Sequence, residues 1–281
     1  MRQKNFQAHF TGKIFVYNSL SKRTNKMELT FGILLFCIAA FFVAGFIDSI
    51  AGGAGFVTAP SLLLVGMPPH MALGTGKLAT SIGSLVALWT FWRGGLILMK
   101  IVPIGILSSM IGASLGAYCA LQIASATMGK VIVVMLPLGI LFTILTGGFK
   151  LDEGELPKKF FWTKVTLIGL LIGFYEGFFG PGAGTFFLIA LHVFLRMGMV
   201  QASGTAKAFN IAANFAAFCT FATGDCVSYQ VAIPCAIASM IGNRVGAYYA
   251  IKIGGKFVRN ILYVVLAVLM VSLVYRFFIA S

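Results

Sequence analysis

The sequence predicts an all-α polytopic membrane protein made of two homologous halves. Three observations carry this. First, 59% of the 281 residues are hydrophobic and only 10% are charged, where soluble domains run near about 25% charged. Second, apolar runs of about 20 residues recur without a polar face, as membrane helices require; strands of a membrane barrel would alternate instead. Third, the chain aligns with itself. At a shift of 130, residues 74–123 and 204–253 share 16 identities in 50 positions. "GTGK" (74–77) meets "GTAK" (204–207), and "SMIGASLGAY" (109–118) meets "SMIGNRVGAY" (239–248). Upstream, "GFIDSIAGGAG" (45–55) meets "GFYEGFFGPGAG" (173–184) at a shift of 128.

Residues 1–26 hold six of the 21 Lys and Arg, no acid and no long apolar core. They read as a disordered tail or as a misassigned start, because Met27 opens directly onto "MELTFGILLF". A signal peptide would need an apolar region followed by a small-residue cleavage site. The first half, residues 27–149, offers apolar segments at 29–47, 56–65, 71–92, 101–121 and 128–147. A charged linker, residues 150–164, follows and begins "KLDEGELPKK". The second half, residues 165–281, offers segments at 165–178, 185–195, 202–223, 227–251 and 257–278. The second segment of each half is short. About ten residues make ~15 Å of helix, half of a bilayer core of roughly 30 Å. Short or interrupted segments at matching positions of two halves point to a transport site. Broken backbone survives at membrane depth only where protein or a wet cavity covers it.

The net charge of +14 reads as positive loops on the cytoplasmic side, so no nucleic-acid partner is expected. Arg93 and Lys100 flank the loop between the third and fourth segments; its counterpart in the second half carries Asp225 and no Lys or Arg. The next loop reverses the bias, with no charge in the first half and Lys252, Lys256 and Arg259 in the second. This swap predicts inverted-topology repeats, each crossing an odd number of times. Both termini would then lie outside, which the basic tail contradicts unless Met27 is the start. Parallel halves of four crossings, with the short segment re-entrant, are the alternative.

Asp48, Lys77, Glu176, Lys207 and Arg244 fall in or beside apolar segments. Each costs about 2.5–3.5 kcal/mol at a helix centre on insertion scales, so each marks a candidate site. The plain structural reading is a buried pair within each half, Asp48 with Lys77 and Glu176 with Lys207. Asp48 and Glu176 are also candidates for carrying a coupling proton. Lys77, Thr80, Ser81 and Ser84 share one helical face, as do Lys207, Asn210 and Asn214. Facing each other, these stripes would form a cationic midplane cavity. The glycine breaks, with Gly52, Gly55, Gly180 and Gly184, would add helix N-termini that favour anions. Arg244, opposite Ser114 in the alignment, would add a fork of donors for an oxyanion, with an interfacial anchor as the alternative. With three cations to two acids, a small anion is the expected cargo. The small-residue stripes Ser109, Gly112, Gly116, Ala117 and Ser239, Gly242, Gly246, Ala247 read as close helix packing. His70 and His192 are lone histidines; His192, inside a short segment, reads as a satisfied polar residue, with a proton relay as the alternative, and Trp89, Trp92 and Trp162 read as interface anchors. The five cysteines show no metal or redox spacing, and neither a metal nor another cofactor is expected.

"AGFIDSIAGGAGFVTAPSLLLVGMPPHMALGTGK", "GFYEGFFGPGAGTFF", "ASGTAKAFNIAANFAAF" and "IGNRVGA" closely resemble the TauE/SafE (sulfite exporter, TSUP) family of membrane permeases and its YfcA-like branch. The resemblance runs from residue 29 to the C-terminus. It implies a multi-pass inner-membrane protein that moves sulfur-containing anions such as sulfite, thiosulfate or organosulfonates. A cation carrier, another small-solute carrier and a passive anion channel remain alternatives. Enzyme motifs such as HExxH or a GxSG-type serine are absent, as is the GxxxxGK[ST] phosphate loop of an ATPase. The expected partners are the small anion and the lipid bilayer, and homo-oligomerisation is left open.

Overall fold

The structure is a computed structural model that describes residues 31–146 and 160–253. The basic tail 1–26, the linker core 150–159 and the last apolar segment 257–278 lie outside the described residues. The chain divides into two units, Met1–Leu35 and Phe36–Ser281; of the first, only the opening turn of a helix is described. Among the described residues every regular element is an α-helix: α1 Phe31–Ala51, α2 Gly55–Leu64, α3 Pro69–Arg93, α4 Val102–Leu121, α5 Ser125–Thr146, α6 Phe161–Phe178, α7 Ala183–Leu195, α8 Met199–Thr223 and α9 Tyr229–Ile253. Three of them, over Phe31–Ser49, Pro69–Arg93 and Val102–Leu121, are long and apolar enough to cross a membrane. The helix expected from residue 165 begins earlier, at Phe161. The Trp89, Trp92 and Trp162 side chains are exposed near helix ends, and Arg93 stacks 4.9 Å over the Trp89 ring.

Local chemistry sets the boundaries. α1 stops where Gly52 adopts a φ of +71°, and the Gly52 N–H closes on the Asp48 carbonyl at 3.1 Å. α6 stops before Gly180, whose φ is +99°. A side chain at either position would strain the left-handed backbone. α3 opens on Pro69 behind Pro68, where a missing N–H costs nothing.

The helices pack through small residues. Gly112 and Gly116 of α4 abut the Leu170 and Phe174 carbonyls of α6, and Gly173 of α6 abuts the Ser109 carbonyl. Contacts rise together along both helices, so α4 and α6 run parallel. The same set recurs between α9 and α1. Gly242 and Gly246 abut the Phe42 and Phe46 carbonyls, and Gly45 abuts the Ser239 carbonyl. Each α9 residue is its α4 counterpart moved by 130, and each α1 residue its α6 counterpart moved by 128. The expected packing role of these stripes is what the contacts give.

α3 and α8 form the centre and run antiparallel. Gly74, near the start of α3, abuts the Cys226 carbonyl just past the end of α8; Gly204, near the start of α8, abuts the Leu96 carbonyl just past the end of α3. The Ser228 N–H donates to Thr75 Oγ1 at 2.9 Å, and the Leu98 N–H to Thr205 Oγ1 at 3.0 Å. Every one of these contacts has its partner at the shift of 130.

Backbone lies where a side chain on Gly112 or Gly242 would go, so neither neighbour can yield cheaply. Overpacking of this kind costs about 1–3 kcal/mol. Gly112→Leu and Gly242→Leu are each expected to lower the thermal midpoint of the purified protein, whereas Gly95→Ala, which has open space around it but a φ of +66°, should lower it less.

Candidate functional site

The two helix breaks meet back to back. The α1–α2 break sets Gly52 against Gly184, where a Cβ on Gly184 would fall 2.8 Å from the Gly52 carbonyl oxygen. Gly55 sits equally close to Pro181, with a virtual Cβ 2.8 Å from the Pro181 Cα. Tyr175 steadies the second break by donating its hydroxyl to the Pro181 carbonyl at 2.7 Å.

Four buried charges surround this crossing, each at most 5% exposed. Their pairing differs from the expected one. Lys77 on α3 pairs with Glu176 on α6, and Lys207 on α8 pairs with Asp48 on α1 at 2.6 Å. Each lysine thus reaches across to the acid of the other sequence half. The within-half pairs do not form, because each short break lies against the other break and each acid-bearing helix end faces the opposite lysine. Both lysines also donate to the backbone carbonyl of the acid they pair with: Lys77 to Glu176, and Lys207 to Asp48 at 2.7 Å. Those carbonyls belong to the last turns of α6 and α1. The Gly180 N–H turns to the Tyr175 carbonyl, so Lys77 supplies a donor to a Glu176 carbonyl left over by the helix end, while Lys207 joins the Gly52 N–H on the Asp48 carbonyl; each ammonium sits favourably at the negative end of a helix dipole.

The polar stripes complete the carboxylate shells. Ser84 donates to Asp48 Oδ2 at 2.7 Å, and Asn210 Nδ2 donates to Glu176 Oε2 at 3.0 Å. Thr80 Oγ1 lies 3.5 Å from Asn214 Oδ1 across the α3–α8 contact, and Asn214 Nδ2 donates to the Asn210 carbonyl at 2.9 Å. Ser81 shares the stripe in sequence but donates to the Lys77 carbonyl at 2.7 Å. The cavity among these groups offers about 30 Å³ to the centre of a water molecule, room on the order of one or two waters. Asp48, Lys77, Glu176, Thr80, Ser84, Asn210, Asn214, Gly52, Gly55, Gly180 and Gly184 all line it.

Arg244 does not join them. It stands on the exposed side of α9, and the neighbouring Asn243 is the residue turned inward, donating to the Ser239 carbonyl at 3.0 Å. The helical period decides this: Ser239, Gly242, Asn243 and Gly246 form the face packed on α1, and Arg244 falls outside it. Among the described residues the site therefore holds two cations and two acids, not three and two. His192 Nδ1 lies 2.7 Å from the Met197 carbonyl oxygen, the satisfied role expected of it, whereas His70 Nε2 lies 2.9 Å from that of Ala120 and its buried Nδ1 has no hydrogen-bond partner among the described residues. Thr75 and Thr205 were not singled out from sequence as bonding residues. Their signal was present: both sit in the matched "GTGK" and "GTAK" motifs.

The profile of the sulfite exporter TauE/SafE matches residues 37–273. The chain belongs to the TauE/SafE family. Among similar members is "Probable membrane transporter protein ORF9" of a Sinorhizobium species, 35% identical over 88% of this chain and 94% of its own length. A Haemophilus influenzae "Probable membrane transporter protein" is 32% identical over 86% of this chain and 94% of its length. "Probable membrane transporter protein YfcA" of Escherichia coli K12 is 30% identical over 88% and 90%. No solved structure matches the chain. This TauE/SafE protein is a membrane transporter, and its buried charges lie inside the matched region.

Removing one partner of a buried ion pair costs about 3–5 kcal/mol, because the other charge stays buried. Lys77→Met alone is expected to depress the thermal midpoint strongly. Adding Glu176→Gln should recover most of the loss, and adding Asp48→Asn none of it. Recovery through Asp48→Asn instead would favour the within-half pairing.

Proposed function

We propose that this TauE/SafE protein is a proton-coupled secondary carrier of small sulfur-containing anions, crossing the inner membrane several times as two inverted repeats. The observation that carries the reading is the pair of buried, cross-linked lysine–carboxylate contacts around one small polar cavity. Ammonium groups, the Asn210 and Asn214 amides and the Ser84 hydroxyl are donors suited to sulfur-bound oxygens. The family's description as sulfite exporter supports the cargo class. The antiparallel run of the sequence-matched α3 and α8 supports inversion, since inverted repeats place equivalent helices in opposite directions.

Charge balance supports the coupling. With two cations against two acids, the resting site is neutral. An anion entering it alone would leave a buried excess negative charge, which is costly. A proton taken by Glu176 or Asp48 removes that excess and frees one ammonium for the anion. A cation would instead meet two ammonium groups already holding both carboxylates. The small cavity closed by the Gly52–Gly184 contact supports a carrier over an open channel, because the breaks must part to load an oxyanion.

The test uses proteoliposomes and radiolabelled sulfite. Saturable flux, stimulated by an inward proton gradient, is expected. Lys77→Met/Glu176→Gln, chosen because it keeps the buried region neutral, should fold and lose about tenfold or more of the flux, the scale of one charged hydrogen bond. Unchanged flux in that variant, or flux indifferent to the proton gradient, would count against the reading.

A further inference from the structure

A second, smaller cavity lies beside Lys207, on the other side of the crossed breaks. It offers about 10 Å³ to the centre of a water molecule and is lined by Lys207, Asn210, Ser203, Leu188, Gly52 and Gly184, among others. Its wall mirrors that of the larger cavity. Lys207 stands for Lys77 and Asn210 for Thr80 at the shift of 130, and Gly52 stands for Gly180 at the shift of 128. Gly52, Gly184 and Asn210 line both spaces. The backbone contact between Gly52 and Gly184, too close for a Cβ on either, is therefore the partition between them. One lining position differs in kind. Where the larger cavity has Leu73, the smaller has Ser203.

We propose that the chain holds two stations for a small oxyanion, one at Lys77 and one at Lys207 with Ser203, separated by the Gly52–Gly184 partition. Deepening the carrier reading above, on which it rests, this gives the path two buried ammonium groups instead of one. Antiparallel α3 and α8 place the stations in order across the membrane. Thr80 faces Asn214 near the middle of the pair, so Lys77 lies on one side of that level and Lys207 on the other. An oxyanion passes from one to the other when the two breaks slide apart, and Asn210, shared by both cavities, donates to it in transit. The Ser203 hydroxyl gives the second station a donor that Leu73 denies the first, so the two differ in affinity.

The experiment measures equilibrium binding of radiolabelled sulfite to the purified full-length protein, together with flux in proteoliposomes. Wild type is expected to bind two sulfites per chain. Ser203→Leu should bind one and lose about tenfold or more of the flux, as overpacking of a fitted site does. Because Ser203→Leu can disturb folding, Ser203→Cys supplies an independent readout at nearly unchanged size. An anionic thiol reagent should label this variant above the wild-type background, and saturating sulfite should slow the labelling. One bound sulfite in wild type, with flux unchanged in Ser203→Leu or labelling of Ser203→Cys indifferent to sulfite, overturns the second station and leaves anion transport standing. Neither binding nor flux in wild type overturns both.

Discussion

The structure depends on two buried ion pairs that cross between the sequence halves. A lysine without its carboxylate, or the reverse, would leave a buried charge costing several kcal/mol. The pairs therefore constrain where the breaks can lie. Each acid stands in the last turn of its helix, and each lysine reaches both the carboxylate and the backbone carbonyl of that turn. For this to hold twice, the two breaks must pack against one another. That requires Gly52, Gly55 and Gly184, because backbone occupies the space a side chain would need. The glycine stripes of α4 and α9 then bring α6 and α1 close enough to deliver Glu176 and Asp48.

From the same arrangement comes a functional consequence. In the proposed carrier, two lysines offset by two carboxylates give a neutral site that an anion would unbalance and a proton would rebalance. Charge neutrality, more than any single donor, is what connects this geometry to the coupled transport proposed for it. Ser84 and Asn210 hold the carboxylates from within their own sequence halves while the lysines hold them from the other. In the proposed cycle, exchanging a lysine contact for an oxyanion would thus loosen the attachment between halves at the place where movement is needed.

Much of this was legible in the sequence. Apolar runs located every described helix to within a few residues, and the repeat placed the site at the breaks and on the Lys77 and Lys207 stripes. Pairing was not legible. A shift of 130 says which residues correspond, and it is silent on whether a lysine meets the acid of its own half or of the other. That choice depends on how the halves dock. Arg244 was misplaced for a related reason. An arginine in an apolar run looks buried until the packed face of its helix is known, and Ser239, Gly242 and Gly246 set that face one residue away. Thr75 and Thr205 were marked by the matched motifs, but their partners were not legible, because they bond to loop backbone, which carries no side-chain signature.

The most direct measurement of the central claim is proton uptake on anion binding. Thiosulfate suits it, because a fully ionised anion contributes no protons of its own near neutral pH. Titrated into weakly buffered, purified protein, this dianion is expected to draw about two protons per bound anion onto the two carboxylates released from their lysines. Saturable thiosulfate binding with no proton uptake would contradict the account.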